Sequence, residues 1–527
     1  MTAPRARLRH ALDRRPSRRT LAAIAIAALA LAGAAVALRL ITGVGFANYD
    51  TLYALAWGGQ LSRGSLPAYE VAIAPTPHPL VEALGVVLSP LSAGAIEDVT
   101  VALGFLALAG CAWVVYRLGE HWFGRAAGVL AALLLITRVP ILSYGVRAYI
   151  DIPYLLLVLA ALLVESRRPR AGAPVLALLA LAGLLRPEAW AFSALYWLYL
   201  VDAVPWARAR IQARAYARAW GRALRGEDDE PGRPPAAFHA RHTRRQLAWL
   251  TLLAASAPLI WVLSDLAITG DPLWSLTNTR HTAHALDRVT GIANVPEYIP
   301  RRIGEILRPP VLVAAALGGV LSLLWLRRRA LVGASAGVLA VIVFAAFATA
   351  GLPINTRYAF LASAILCVFA GAGVFGWTCL ARGDRRRPWW MIVGALLLVA
   401  LVASAPSQYR AAHREMRKLA RQQSIQDELL ALVHAGSINL ACGPVGVPNH
   451  APIPLLALYL HTSPRNIVSA QVSSQPISEG QYVDPASREV EEDYVLDPHD
   501  PHVRVTIPPG FIEVHSDASW LIFQRCS

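Results

Sequence analysis

Ionisable residues stand at the edges of long apolar runs at four separated places in the chain: Asp50, Arg147 with Asp151, Arg186 with Glu188, and Arg357. A charge at the centre of a bilayer costs about 2.5 to 3.5 kcal/mol on insertion scales, so each of these needs a reason. Carboxylates and guanidinium groups brought to one membrane level suit one chemistry. A hydroxyl attacking an activated sugar needs a carboxylate to take its proton, and a departing phosphate needs cationic donors, best supplied by arginine forks. The competing reading is that each charge caps a helix or snorkels to the interface. Arg39 and Arg138 have no acid nearby in sequence and are expected to snorkel.

The elements that must position these residues follow from composition. The 527 residues are 56% hydrophobic and 16% charged, with a mean hydropathy of +0.45. Water-soluble domains carry about 25% charged residues, so a soluble enzyme is excluded and an all-α polytopic membrane protein is expected. Windows of about 20 apolar residues give eleven spans, near 20–42, 98–116, 126–142, 152–164, 172–185, 189–204, 247–266, 310–326, 330–350, 357–380 and 389–405. The first run has an arginine-rich leader and could be a cleaved signal peptide, but its length favours a retained anchor.

Orientation follows from arginine in the short loops. With the N-terminus inside, the segments 1–19, 117–125, 165–170, 202–246, 327–329 and 381–387 face the cytoplasm and hold 29 arginines against nine acids. That is a net +20, leaving −5 for the rest of a chain whose total is +15. A pI near 10.0 would otherwise suggest a nucleic-acid partner, as would the basic, aromatic-spaced loop 202–246, but insertion topology and anionic lipid account for both, so no nucleic acid is expected. The chain reads as a basic cytoplasmic N-terminus (1–19), a transmembrane domain (20–405) and an extracytoplasmic tail (406–527), in a plasma (inner) membrane.

Three regions face outside. The first, 43–97, carries an amphipathic stretch from Asp50 to Leu61 and a second apolar stretch after PTPHPL, both expected to lie along the membrane surface. A rival reading makes 79–95 a span. The second region, 266–309, holds His281, His284 and five arginines. The tail opens with a charged helical pattern from Gln408 to Ala435. It continues as strand (INLAC), helix (APIPLLALYL) and strand (RNIVSA), crosses a polar loop at 471–510, and closes on a hairpin, GFIEVHSDASWLIFQRC. This is a small α/β domain. Cys442 and Cys526 are candidates for a disulfide on an oxidising side, whereas Cys111, Cys367 and Cys379 read as buried fillers in spans.

The order of features resembles the GT-C superfamily of polyprenyl-phosphate-sugar-dependent glycosyltransferases, which includes protein O-mannosyltransferases and lipid A aminoarabinose transferases. ANYD, with Asp50, is similar to the acidic motif after the first span, and PTPHPL at 75–80 to the proline-rich element that follows it. RLGEHWFGRAAG matches an arginine-flanked glycine loop, RAYIDIP places a second acid at Asp151, and NTRYAF opens a late span with Arg357 and Tyr358. The resemblance covers roughly residues 15–380. It implies that Asp50 is the catalytic base and that Arg357, with Arg186 or an arginine of 266–309, holds a lipid-linked phosphate. Asp151 would position the acceptor or a divalent metal cation, the only cofactor the resemblance leaves open.

Two positions depart from the pattern: Tyr49 stands where many relatives have a second acid, and His78 where proline is common. His78 could be a ligand or a hydrogen-bond partner of Asp50. The candidate catalytic residues are therefore Asp50 and Asp151, and the candidate substrate contacts are Arg147, Arg186, Glu188, Arg357, Tyr358 and His78.

The outer leaflet has no nucleotide supply, so the expected donor is a sugar on polyprenyl phosphate. The acceptor would be a hydroxyl of a glycan, lipid or protein, and membrane lipids surround the chain. Two other classes compete: a transporter or lipid flippase, and an inactive cell-envelope scaffold. Transporters typically carry internal repeats and broken helices near the midplane. No repeat is visible here, and the charges gather at one face.

Overall fold

A computed structural model of the chain describes residues 18–201, 244–471, 477–495 and 507–526. The basic N-terminus ahead of residue 18 and most of the basic loop, 202–243, lie outside the described residues. The helices are α1 (Arg18–Thr42), α2 (Tyr49–Ser62), α3 (Pro79–Leu88), α4 (Ala93–Phe123), α5 (Arg125–Ile136), α6 (Val139–Val146), α7 (Asp151–Arg167) and α8 (Ala173–Gly183). They continue with α9 (Glu188–Leu200), α10 (Arg244–Thr269), α11 (Trp274–Ala285), α12 (Val295–Trp325), α13 (Arg327–Thr349), α14 (Phe360–Phe375), α15 (Arg387–His434) and α16 (Ile453–Tyr459). Each expected span overlaps helix, though 126–142 crosses the break between α5 and α6. By length and composition, however, seven helices among the described residues can cross a membrane, or eight if α5 and α6, bent by 65°, count as one. The expected eleven are not reached, because α7, α8 and α9 have only 17, 11 and 13 residues.

The bundle closes around α14, which is buried along nearly its whole length against α4, α5, α12, α13 and α15. Small residues allow this: a methyl group added at Gly318 would run into the Phe369 carbonyl and Gly373, so α12 and α14 touch backbone to backbone. The short arginine-bearing loops share one end of the bundle. His121 bonds the Ser166 carbonyl at 3.0 Å, Arg329 reaches Cys379 at 3.3 Å, and Trp325 packs edge-on to Trp390. Cys111 and Cys367 are buried as expected, while Cys379, at this end, is half-exposed.

Several expectations fail for identifiable reasons. The stretch from Asp50 to Leu61 is a helix but not a surface one: Thr51 to Gly58 are all buried, roofed by α3 and by α16 of the tail. The rival reading of 79–95 as a span fails, since α3 has only ten residues, in keeping with the expectation of a short helix there. The expected boundary at 405/406 falls inside one helix. α15 runs on for 48 residues, about 72 Å at 1.5 Å per residue, carrying Pro406 inside it.

In the tail, INLAC is not a strand. Asn439 folds it into a turn by accepting from the Ala441 N–H at 2.9 Å, and Gly443 (φ 124°) with Pro444 delays the strand until β1 (Val445–Val447). β2 (Ile467–Ser469) and the hairpin of β4 (Ile512–Ser516) and β5 (Trp520–Arg525) form where expected. The polar loop hides β3 (Gly480–Pro485), the middle strand of a five-stranded sheet ordered β2-β1-β3-β5-β4. β1 is parallel to β2 and β3; the remaining pairs are antiparallel. Cys442 and Cys526 are disulfide-bonded, with Cα atoms 5.3 Å apart. Sheet and bundle share one core, in which Leu52, Leu55 and Trp57 of α2 meet Ile425, Leu456 and Trp520. Tyr459 donates to Glu97 at 2.7 Å across the same junction.

Candidate active site

Asp50 owes its position to the residue two before it. Asn48 caps α2, accepting from the N–H of Asp50 at 2.8 Å, and its own N–H and side-chain amide bond the Arg147 carbonyl at 3.0 and 3.2 Å. Thr51 adds a bond to the Ala148 carbonyl at 2.9 Å. The start of α2 is thereby stitched to the turn between α6 and α7, bringing Asp50, Arg147 and Asp151 together. From the other half of the chain, a single 3-10 turn at Thr356–Ala359 supplies Arg357. Its Nη1 donates to Asp50 Oδ2 at 2.6 Å and lies 3.9 Å from Asp151 Oδ2.

Asp151 heads α7 and is only 2% exposed. It pairs with Arg186, which also holds Glu188 through Nη2 at 2.6 Å. The Arg186 guanidinium lies 4.5 Å from the centre of the Tyr358 ring, and that ring stacks on Phe344. Thus three carboxylates face two arginines. Arg147 makes the charges equal, yet no acid stands within ion-pair distance of it among the described residues. Its Nε and Nη2 bond the carbonyl and hydroxyl oxygens of Ser143 at 3.2 and 3.0 Å, and its guanidinium lies 5.4 and 4.9 Å from the rings of Tyr144 and Tyr149. The Ser143 hydroxyl in turn donates to Glu415 at 2.9 Å.

Electrostatics set the protonation states. Burial alone would push the Asp50 carboxyl up, but Arg357 beside it, with help from the more distant Arg186, brings it below its ordinary 3.8. It is an ionised carboxylate with 15% side-chain exposure, against 23% for Arg357. Burial pushes the His78 ring down to about 3, so it is neutral, and its Nδ1 bonds the Leu185 carbonyl at 2.7 Å instead of Asp50.

These groups line a cavity of about 1100 Å³. Every candidate named from sequence reaches its wall except Asp151, which stands behind Arg186 and Arg357. The 266–309 segment adds Arg288, Arg301 and Arg302, whereas His281 and His284 are exposed on α11 outside the lining. Sequence reasoning missed Tyr49, Tyr144 and Tyr149, which flank the named charges, and Glu415, Lys418, His450 and Tyr494, which come from the tail and the long α15. Tyr49 and Tyr149 were legible in the motifs themselves, and Tyr144 lies three residues before one. The last four depend on how the tail docks.

The site does not fit a divalent metal. One oxygen each of Asp151 and Glu188 is buried without a hydrogen-bond partner, but the other oxygen of each is taken by Arg186. Among the described residues no three His, Cys, Asp or Glu side chains converge as such an ion needs.

No protein-family model and no curated protein matches this sequence. Among solved structures, ArnT from Cupriavidus metallidurans bound to undecaprenyl phosphate aligns with a TM-score of 0.51 at 13% identity, covering 94% of this chain and 97% of that one. The archaeal oligosaccharyltransferase AglB from Archaeoglobus fulgidus, in complex with an inhibitory peptide and a dolichol-phosphate, aligns at 0.46 and 11% identity over 88% of this chain and 69% of that one. Over nearly its whole length the chain shares the fold of that ArnT structure.

Proposed function

We propose that the protein is a membrane glycosyltransferase that moves a sugar from a polyprenyl-phosphate donor to an acceptor hydroxyl on the outer face of the plasma membrane. The observation that carries this reading is the meeting of Asp50 and Arg357 at the wall of a large cavity. A base and a phosphate donor lie side by side there, where the attacking and leaving groups of a glycosyl transfer would lie. That ArnT was crystallised with undecaprenyl phosphate supports the choice of donor class.

In this reading the acceptor oxygen attacks the anomeric carbon and its proton passes to the Asp50 carboxylate. The bond between that carbon and the phosphate oxygen breaks, and polyprenyl phosphate departs with the electron pair. Arg147 is the first contact for the phosphate, because it has no carboxylate to give up, and Arg357 is the second. Arg186 is held by Asp151 and Glu188, and this buried trio orients Arg357 and the Tyr358 ring instead of touching the acceptor. Neutral His78 fixes the turn entering α3 through Leu185. No step requires a metal.

Purified protein in nanodiscs, supplied with labelled polyprenyl-phosphate sugars and a panel of glycan, lipid and peptide acceptors, should release polyprenyl phosphate and label one acceptor class. Uptake of the lipid across a vesicle membrane without turnover would replace this reading with a transporter.

A further inference from the structure

Arg138 is where sequence reasoning and structure disagree most sharply. It was expected to snorkel to the interface; instead it is 5% exposed. It follows the twelve residues of α5, and so lies about 20 Å along the helix axis from Arg125, in the apolar interior. A cation there needs compensation, yet no carboxylate is within ion-pair distance among the described residues. Its Nε donates to the Leu134 carbonyl at 2.9 Å and its Nη1 to the Leu307 carbonyl at 3.0 Å, while Nη2 reaches the Thr137 hydroxyl at 3.1 Å.

Those two carbonyls end two helices. Leu134 is in the last turn of α5, and Leu307 is the last residue before α12 breaks at Arg308 (φ 63°), ahead of Pro309 and Pro310. Pro309 and Pro310 bring no N–H to the Glu305 and Ile306 carbonyls, and the break at Arg308 takes Leu307 out of the helical ladder. A helix C-terminus carries about half a negative charge. Two of them directed at one guanidinium supply the counter-charge a carboxylate would otherwise give. A third helix joins them, because Gln408, two residues after Pro406 in the continuous α15, donates to the Thr137 carbonyl at 2.8 Å.

Each segment beyond this junction leads to the cavity. α6 runs from Arg138 to Arg147. The first half of α12 bears Arg302, whose Nε bonds the Ile354 carbonyl at 3.2 Å, and Glu305, which accepts from Thr356 at 3.2 Å beside Arg357. α15 brings Glu415 to Ser143.

We propose that Arg138 is a positioning residue whose guanidinium clips α6 to the first half of α12 and so sets the spacing between Arg147 and Arg357 across the cavity. The proposal rests on reading those two arginines as the donor-phosphate contacts. Lysine cannot replace it, since one ammonium cannot present a planar fork to two carbonyls on different helices.

The test compares full-length wild type, Arg138→Gln and Arg138→Lys in nanodiscs by hydrogen exchange and by titration with undecaprenyl phosphate. Expected is faster exchange confined to 139–146 and 295–307, with α4 unchanged, and at least a tenfold weaker Kd in Arg138→Gln. Arg138→Lys, the milder change, recovers less than half of either effect. Unchanged exchange in both segments, exchange raised throughout the bundle, or full recovery by lysine overturns the clip. Arg147→Gln serves as the control. If it binds undecaprenyl phosphate as tightly as wild type, the donor reading fails, and the exchange data alone then judge the clip.

Discussion

Asp50 and Arg357, 307 residues apart in the chain, are joined by a 2.6 Å hydrogen bond from Nη1 to Oδ2. The bond gives the carboxylate its ionised state and keeps one cation at the cavity wall. It also means that neither residue can be changed without altering the other, so the two substitutions must be read together.

Asp50→Asn keeps the shape and loses the base. Transfer should fall by about 10² to 10⁴, the usual worth of a positioned general base. Expression and elution volume should stay as in wild type, because the amide can still accept from Arg357. Residual transfer within threefold of wild type removes Asp50 from the base role.

Arg147 and Arg186 should separate by phenotype. Arg147→Gln removes a cation that no direct ion pair holds among the described residues, so the fold survives and the donor KM rises about tenfold or more, the loss of a charge-assisted hydrogen bond. Arg186→Gln leaves Glu188 buried without its partner and Asp151 with only Arg357, 3.9 Å away. That costs about 3 to 5 kcal/mol and should appear as lost folded protein before any kinetic effect. Equal donor KM values for wild type and Arg147→Gln would contradict the phosphate assignment.

The pH profile carries the same logic with a definite sign. Asp50 lies below its ordinary 3.8, so it is ionised throughout pH 5–8 and the acid side of kcat/KM should be flat there. The ion pair also stabilises the fold above about pH 4 and is lost as the pH falls further. In Arg357→Gln burial is no longer opposed by that partner. The carboxyl rises and an acid limb should enter the measured range; a limb that stays below pH 5 in that variant shows that Arg357 does not tune the base.

How much of this was legible in sequence depends on the range of the interaction. Asp50, Arg147, Arg186 and Arg357 stood out because each interrupts an apolar run, a local signal. Their pairing was not visible, since nothing in RAYIDIP or NTRYAF says that Asp151 will be buried behind Arg186. Arg138 misled because snorkelling is the usual fate of a lone arginine, and the two helix ends that compensate it come from breaks 170 residues apart. β3 was hidden because GQYVDP shows no alternation: as the middle strand it is covered on both faces, so Gly480 to Val483 are all buried. α15 was divided because its composition changes at Pro406 while its backbone does not.

The disulfide offers a test of orientation. Cys442 and Cys526 close a loop of 84 residues, worth about 4.6 kcal/mol in the chain-entropy account. Maleimide applied to intact cells should label neither residue until reductant is added, and then both if the tail faces outside. The double serine variant should unfold at lower temperature in the tail alone. Free thiols in the untreated protein would place the tail on the reducing side.

Glu82 gives the opposite pH sign. It is buried in α3, where it accepts from the Tyr69 hydroxyl at 2.6 Å and from the His78 N–H at 3.1 Å. Burial pushes its carboxyl up to about 7 from an ordinary 4.5, against the pull of those two donors and with the charge of Asp265 adding to the rise. A raised acid favours the fold while it is protonated. Its contribution is therefore fully present below pH 4.5 and is lost as the pH climbs through about 7, each unit being worth about 1.4 kcal/mol. Glu82→Gln mimics the protonated form and removes the dependence. Melting temperatures of wild type and Glu82→Gln should agree at pH 5 and diverge by pH 8, with wild type the lower. If the gap is constant across that range, Glu82 does not titrate in the folded protein, and the Tyr69 bond must hold it ionised.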